Sequence, residues 1–266
     1  MAEERKESRG PSQETALTVR GVSKTFCSQS GAKVSALEGL ELSVRRGEFV
    51  VLIGPTGCGK STLLNILAGI EKPDRGEICF QSRSEDDDNI AYVFQHYTLF
   101  PWRTLLGNVS FGLQMRGVPR QERRQRARDL LGQVGLSDFE KAYPHETSGG
   151  MRQRAAIAQA LAMNPEFLLM DEPFGALDDA TRTELQRLLV RLCRASGTTV
   201  LFVTHNIDEA VMTADRILVF SSRPGRIIEE ITVPISRPRD PLDPRFVELF
   251  VRIRSAVSMD GTVPTS

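Results

Sequence analysis

The stretch FVVLIGPTGCGKSTLLNILAG, from Phe49 to Gly69, constrains this chain more than any other. Its apolar, β-branched start, Phe49–Ile53, reads as a buried strand. The pattern breaks at Gly54, turns helical from Lys60, and closes at Gly69, where a C-terminal cap is expected. Between them Gly54, Gly59, Lys60 and Ser61 stand at the G-x-x-x-x-G-K-[ST] spacing of a phosphate-binding loop. Glycines admit unusual backbone angles and let amide N–H groups wrap a polyphosphate. The helix that follows starts where its free N–H groups and dipole favour negative charge. In that arrangement Lys60 reaches the β- and γ-phosphates of a nucleotide and the Ser61 hydroxyl ligates Mg²⁺. A glycine-rich strand–helix turn that binds nothing is the alternative, and the strand–loop–helix context speaks against it.

At 266 residues the chain can form one large or two small domains. Its formal net charge is zero, so no bulk field points to nucleic acid or acidic lipid. No apolar run approaches the roughly 18 residues of a membrane span. The start, MAEERKESRGPSQET, is charged, with neither an apolar signal segment nor a myristoylation pattern, and reads as a disordered tail. Cys27, Cys58, Cys79 and Cys193 lack CxxC spacing, and Cys58 sits inside the phosphate loop, so a reducing cytosol fits better than a disulfide or zinc framework.

Short strands are expected at Leu17–Arg20 and Leu40–Val44. Phe26 stands among small and polar residues; it can stack on a base or simply pack on an edge strand. Ile90–Phe94 reads as a buried strand ending at Gln95, an amide that either points into a ligand crevice or only terminates the strand. The acidic run Glu85–Asp88 before it reads as a solvated loop. From residue 96 to 164 helical patterns dominate, as an insertion into an α/β core. The arginines around Ala127, Leu130, Leu131 and Val134 lack interleaved aromatics and read as a solvated face. The helix start at Ser148-Gly149-Gly150 is another ready anion site. Glu166–Met170 is an apolar strand capped by Asp171 and Glu172, a pair able to hold Mg²⁺ and polarise a water, though adjacent carboxylates are also common in loops. Val200–Val203 is a further buried strand, ending at Thr204-His205. A lone histidine is usually structural; its place at a strand's C-terminal end favours function. Ile217–Phe220 and Ile227–Ile231 suggest a closing hairpin, and the tail beyond Pro234 carries one helical patch around Phe246–Ile253.

With these motifs in this order, about residues 16–240 resemble the ATP-binding subunit of ABC transporters. The resemblance implies an α/β P-loop NTPase (RecA-like) core with N-terminal antiparallel strands and an inserted helical subdomain. Residues 1–15 would be a disordered tail, 16–95 and 165–235 the core, 96–164 the insertion, and 236–266 a tail with a short helix. It also implies that Gly54, Pro55, Thr56, Gly57, Cys58, Gly59, Lys60, Ser61 and Thr62 are the Walker A loop around ATP. Phe26 would stack on adenine, and Ser61, Gln95 and Asp171 would serve Mg²⁺. Glu172 would be the general base, His205 the switch histidine, and Ala176-Leu177-Asp178 the D-loop. Ser148, Gly149 and Gly150 match the signature motif, where Thr147 replaces the usual leucine. The implied mechanism needs a head-to-tail second copy of the chain, each ATP being covered by the partner's signature motif. Polytopic permease subunits, a periplasmic or lipid-anchored solute-binding protein and a place on the cytoplasmic face of the inner membrane are implied too, with no role for nucleic acid. The stretches QHYTLFPWRTLLGNVSFGLQMRGV, DEPFGALDDATR, THNIDEAV and SSRPGRIIEEITVPISRPRD look like those of the nitrate/sulfonate/taurine importers. Trp102, the single tryptophan, is expected beside the groove for the permease's coupling helix; packing within the insertion is the alternative. A soluble ABC ATPase of DNA repair or translation, or a P-loop kinase, is the rival reading.

Overall fold

A computed structural model describes residues 14–27, 31–81, 90–95, 98–175 and 177–259. The tail reading for the first 13 residues, the acidic run Glu85–Asp88 and Ala176 lie outside the described residues.

The chain opens with two long antiparallel strands, β1 (Thr15–Cys27) and β2 (Lys33–Arg45). Next come β3 (Phe49–Ile53), helix α1 (Lys60–Leu67), β4 (Arg75–Phe80) and β5 (Ile90–Val93). The first two strands run 13 residues each, far beyond the short segments expected from the sequence. Their pairing shifts register repeatedly, and Gly21 and Gly39 take positive φ near the shifts. Each shift breaks the two-residue alternation by which a strand is recognised. Glu14 and Thr15, assigned to the tail by sequence, are ordered: the Glu14 carbonyl accepts from the Arg46 amide at 2.9 Å and Thr15 begins β1.

Four helices follow: α2 (Leu105–Val109), α3 (Phe111–Met115), α4 (Arg120–Gln133) and α5 (Gly149–Ala162). They pack on one another; α4 buries Ala127 and Leu131 and keeps most of its arginines toward solvent. The rest alternates: β6 (Phe167–Asp171), α6 (Asp179–Ser196), β7 (Thr199–Thr204), α7 (Ile207–Thr213), β8 (Arg216–Phe220), β9 (Ile227–Thr232) and α8 (Pro244–Met259). Helix α8 is 16 residues long, twice the patch read from the sequence, and seats Phe246, Leu249 and Ile253 against the core.

Six strands form the central sheet in the order β5-β6-β7-β3-β8-β9, parallel except for β9, which closes it as a hairpin on β8. A second sheet, β2-β1-β4, is antiparallel. Side-chain alternation divides the core in two. Val50, Leu52, Leu201 and Leu218 point toward α1 and the antiparallel sheet, while Val51, Phe202, Ile217 and Val219 point toward the helical side. This explains why β3, and β7 between its terminal threonines, are continuously apolar rather than alternating: both faces are covered.

Asp215, at the start of β8, ties three segments together. Its carboxylate accepts from Arg237 at 2.6 Å, Arg194 at 3.0 Å and the Phe49 amide at 3.0 Å. Burial works to raise its pKa, but Arg237, the Phe49 amide and Arg194 hold it below the ordinary carboxylate value. An acid depressed in the folded state stabilises the fold above its unfolded pKa, near 3.9, and that contribution fades as pH falls through the lower folded value. Asp215→Asn should therefore cost about 3 kcal/mol at pH 7, because Arg237 is left half-buried without its partner. In denaturant titrations the difference between the two proteins should begin to shrink as the pH falls below about 4 and close once it passes the lower folded value.

Candidate functional site

The site lies at the C-terminal ends of the parallel strands, where ligands bind in open α/β sheets. The loop after β3 is confined by its glycines. A Cβ on Gly54 would lie 2.8 Å from the Phe220 carbonyl oxygen, and one on Gly59, at φ 108°, would lie 2.5 Å from that of Ala36. Gly59 caps α1 without any side-chain hydrogen bond, so the first-turn N–H groups of α1 stay available to an anion. Lys60 is buried, and its ammonium donates to the carbonyls of Gly54 and Pro55, both at 2.8 Å.

A cavity of about 380 Å³ opens over this loop. Thr56, Gly57, Gly59, Lys60, Ser61 and Thr62 form its floor, Phe26 one wall, and Gln95 and Glu172 another. Phe26 is 39% exposed, and the Lys24 ammonium lies over its ring, 5.2 Å from the centre. A larger cleft of about 660 Å³ lies between α4 and α6 and includes none of the expected site residues.

Asp171 and Glu172 are neighbours in different surroundings. Asp171 is buried at the end of β6 and takes a hydrogen bond from the Ser61 hydroxyl. Burial lifts its pKa, the Ser61 bond pulls it back, the Glu172 charge lifts it and Lys60 pulls it back; the result stays raised. Glu172 leaves the strand at φ 45°, a backbone region few non-glycine residues adopt. That turn sends its carboxylate between two polar groups: Gln95 Nε2 donates to Oε2 at 3.2 Å, and His205 Nδ1 stands 3.0 Å from Oε1. Ser61, Asp171 and the amide oxygen of Gln95 make an all-oxygen donor set, which suits Mg²⁺. Clusters of three or more His, Cys, Asp and Glu able to hold a metal are absent among the described residues.

Behind His205 is a layer that sequence reading missed. The Thr204 hydroxyl donates to Glu209 Oε2 at 2.6 Å and accepts from the Asn206 amide at 3.0 Å. Glu209 is buried and faces Arg182 at 3.6 Å. Asn206 caps α7 by accepting from the amides of Asp208 and Glu209. The signal was present in the Asn-x-x-Glu capping pattern of NIDE, but the partner Thr204 lies on the strand before the cap.

Ser148 lies outside the cavity, at the start of α5, where it accepts from the Met151 amide at 3.2 Å; Gly149 and Gly150 follow in that helix's first turn. Thr147, which replaces the expected leucine, is buried and donates its hydroxyl to the Pro144 carbonyl at 2.8 Å, so the polar atom is satisfied. Trp102 is 71% exposed at the tip of a turn that Asn108 holds rigid by donating to the Phe100, Arg103 and Thr104 carbonyls.

A family model described as ABC transporter matches residues 37–175. An uncharacterized ABC transporter ATP-binding protein of Methanocaldococcus jannaschii is 45% identical over 239 residues, 89% of each chain. A taurine import ATP-binding protein of Burkholderia pseudomallei is 43% identical, covering 89% of this chain and 95% of the relative. An aliphatic sulfonates import ATP-binding protein of Bacillus thuringiensis is 39% identical, covering 94% and 99%. Among solved structures, a dimeric ATP-binding cassette in a post-hydrolysis state bound to ADP and Pi aligns with TM-score 0.73 at 35% identity, covering 83% of this chain and all of that one.

Thr204→Val keeps the shape of the layer behind His205 but leaves a buried Glu209 oxygen and the Asn206 amide without a partner. Unfolding should cost about 1–3 kcal/mol less, and Thr204→Ser, which keeps the hydroxyl, should recover most of it. Calorimetric melting temperatures of the two variants, compared with wild type, check this.

Proposed function

This chain belongs to the ABC transporter family, and from that membership we propose that it is the ATP-hydrolysing subunit of an importer for a small anionic or sulfur- or nitrogen-containing solute of the taurine, alkanesulfonate or nitrate type. The observation that carries the reading is the Glu172 carboxylate, held by Gln95 and His205 at the wall of the cavity whose floor includes Lys60. Relatives named as import subunits favour transport over a repair or translation ATPase.

In this mechanism Phe26 stacks on adenine, and the amides of the loop from Gly54 to Thr62 cradle the phosphates. Lys60 exchanges its carbonyl partners for the β- and γ-phosphate oxygens. Ser61, Asp171 and Gln95 would hold Mg²⁺, which would supply neutralising charge to the phosphate oxygens. Glu172 accepts a proton from water as the water oxygen attacks the γ-phosphorus. The bond to the β–γ bridging oxygen breaks, and ADP and phosphate leave. His205, steadied by the Thr204–Glu209 layer, keeps Glu172 oriented. Ser148, Gly149 and Gly150 act in trans, covering the ATP of a second copy in a head-to-tail pair. Permease subunits, with a solute-binding protein beyond them, complete the assembly at the cytoplasmic face of the membrane, and Trp102 presents its exposed ring to the permease.

Glu172→Gln keeps the shape and a hydrogen-bonding oxygen but cannot accept the proton. It should retain ATP affinity, lose turnover by about two to four orders of magnitude, and elute as an ATP-bound dimer in size-exclusion chromatography with Mg-ATP; hydrolysis at the wild-type rate would remove Glu172 from the mechanism. Trp102→Ala should abolish ATP-driven uptake in vesicles carrying the full transporter while sparing the isolated subunit's ATPase. A melting temperature lowered by many degrees would instead show that the ring packs within the fold.

A further inference from the structure

The turn joining β8 to β9 brings an arginine into the nucleotide cavity from a part of the chain remote from the phosphate loop. Arg223 lines that cavity together with Lys60 and Phe26. Its guanidinium grips the Gly57 carbonyl, Nε at 3.0 Å and Nη2 at 2.8 Å. The rest of the turn is pinned so that this reach is enforced. The Ser221 hydroxyl donates to the Pro224 carbonyl and accepts from the Arg226 amide, both at 2.9 Å. The Gly225 amide donates to the Ala36 carbonyl at 2.9 Å, and Arg226 pairs with Glu38 at 2.7 Å. A Cβ on Gly225 would stand 2.1 Å from the Cys58 carbonyl oxygen, so the turn's backbone sits directly against the phosphate loop.

Arg223 has no carboxylate partner among the described residues. In this it parallels Lys60, whose ammonium also rests on carbonyls of the same loop. A guanidinium carries five N–H donors, of which two are committed here to one oxygen. Its fork geometry suits oxyanions, and phosphate most of all. We propose that Arg223 is a further nucleotide-contacting residue, which braces the phosphate loop through the Gly57 carbonyl and presents a second cation beside Lys60 to the ATP polyphosphate. The proposal rests on the ATP-binding reading above. It adds a residue supplied by neither the strand ends nor the loop itself.

The test is isothermal titration of the purified chain with Mg-ATP and with AMP, for wild type, Lys60→Ala, Arg223→Ala and Arg223→Lys, together with melting temperatures without nucleotide. Arg223→Ala should weaken Mg-ATP about tenfold, the loss expected from one charge-assisted hydrogen bond. Its AMP affinity should stay within about twofold, and its melting temperature within about 2 °C of wild type. Arg223→Lys, which keeps the charge, should recover part of the ATP affinity. Unchanged ATP affinity in Arg223→Ala would overturn the proposal. So would an equal loss for ATP and AMP with a lowered melting temperature, which would make Arg223 a brace only. If Lys60→Ala weakens ATP and Arg223→Ala does not, this inference fails while the ATP-binding reading stands. If neither variant changes ATP affinity, the ATP-binding reading fails first.

Discussion

Everything at the site depends on the register of the parallel sheet. Ile53 stands opposite Thr204, Asp171 opposite Val203, and Val93 opposite Met170. One residue further along, the chain leaves the sheet as Gly54, Glu172 and His205; Gln95 follows two residues beyond Val93. Backbone hydrogen bonds between strands therefore gather four separate segments into one crevice. A slip of one residue in any pairing would turn that strand's apolar set toward the wrong layer, so the core that stabilises the sheet also enforces the register of the site.

The crevice sorts two identical charges by backbone geometry. Asp171 is still within the strand, is buried, and faces Ser61 and Lys60. Glu172 is the first residue past it, and its positive φ swings the carboxylate out toward Gln95 and His205. Such a backbone costs on the order of 1–3 kcal/mol and persists only where surrounding contacts over-determine it. Here they include the bond from the Glu172 amide to the Val203 carbonyl at 2.9 Å. Thr204, Glu209 and Asn206 form a hydrogen-bonded layer on either side of His205 in sequence.

Local patterns made much of this readable. Phe49–Ile53, Glu166–Met170 and Val200–Val203 are runs with apolar residues at successive positions, which only a strand covered on both faces requires. The phosphate loop announces itself because its constraint is local: a glycine pair, a lysine and a hydroxyl within one turn of chain. The long antiparallel strands were harder, since register shifts at Gly21 and Gly39 erase the alternation that marks a strand. Helix α8 was underestimated because its apolar residues do not mark a single face: Phe246, Leu249 and Ile253 are buried, while Val247 and Val251 are exposed.

The sequence by itself determined the phosphate-loop pattern and the apolar strands that flank it, and singled out Gln95, Asp171, Glu172 and His205 as candidates, because each of these is a short-range pattern. Only the tertiary structure decided how they are placed around one another. The left-handed turn at Glu172, the burial of Asp171 against Ser61, the Thr204–Glu209 support and the reach of Arg223 to Gly57 all join residues through space. The last of these spans 166 positions of sequence. Contacts of that kind leave no periodicity in the chain, since their partners are chosen by strand order and register rather than by neighbouring residues.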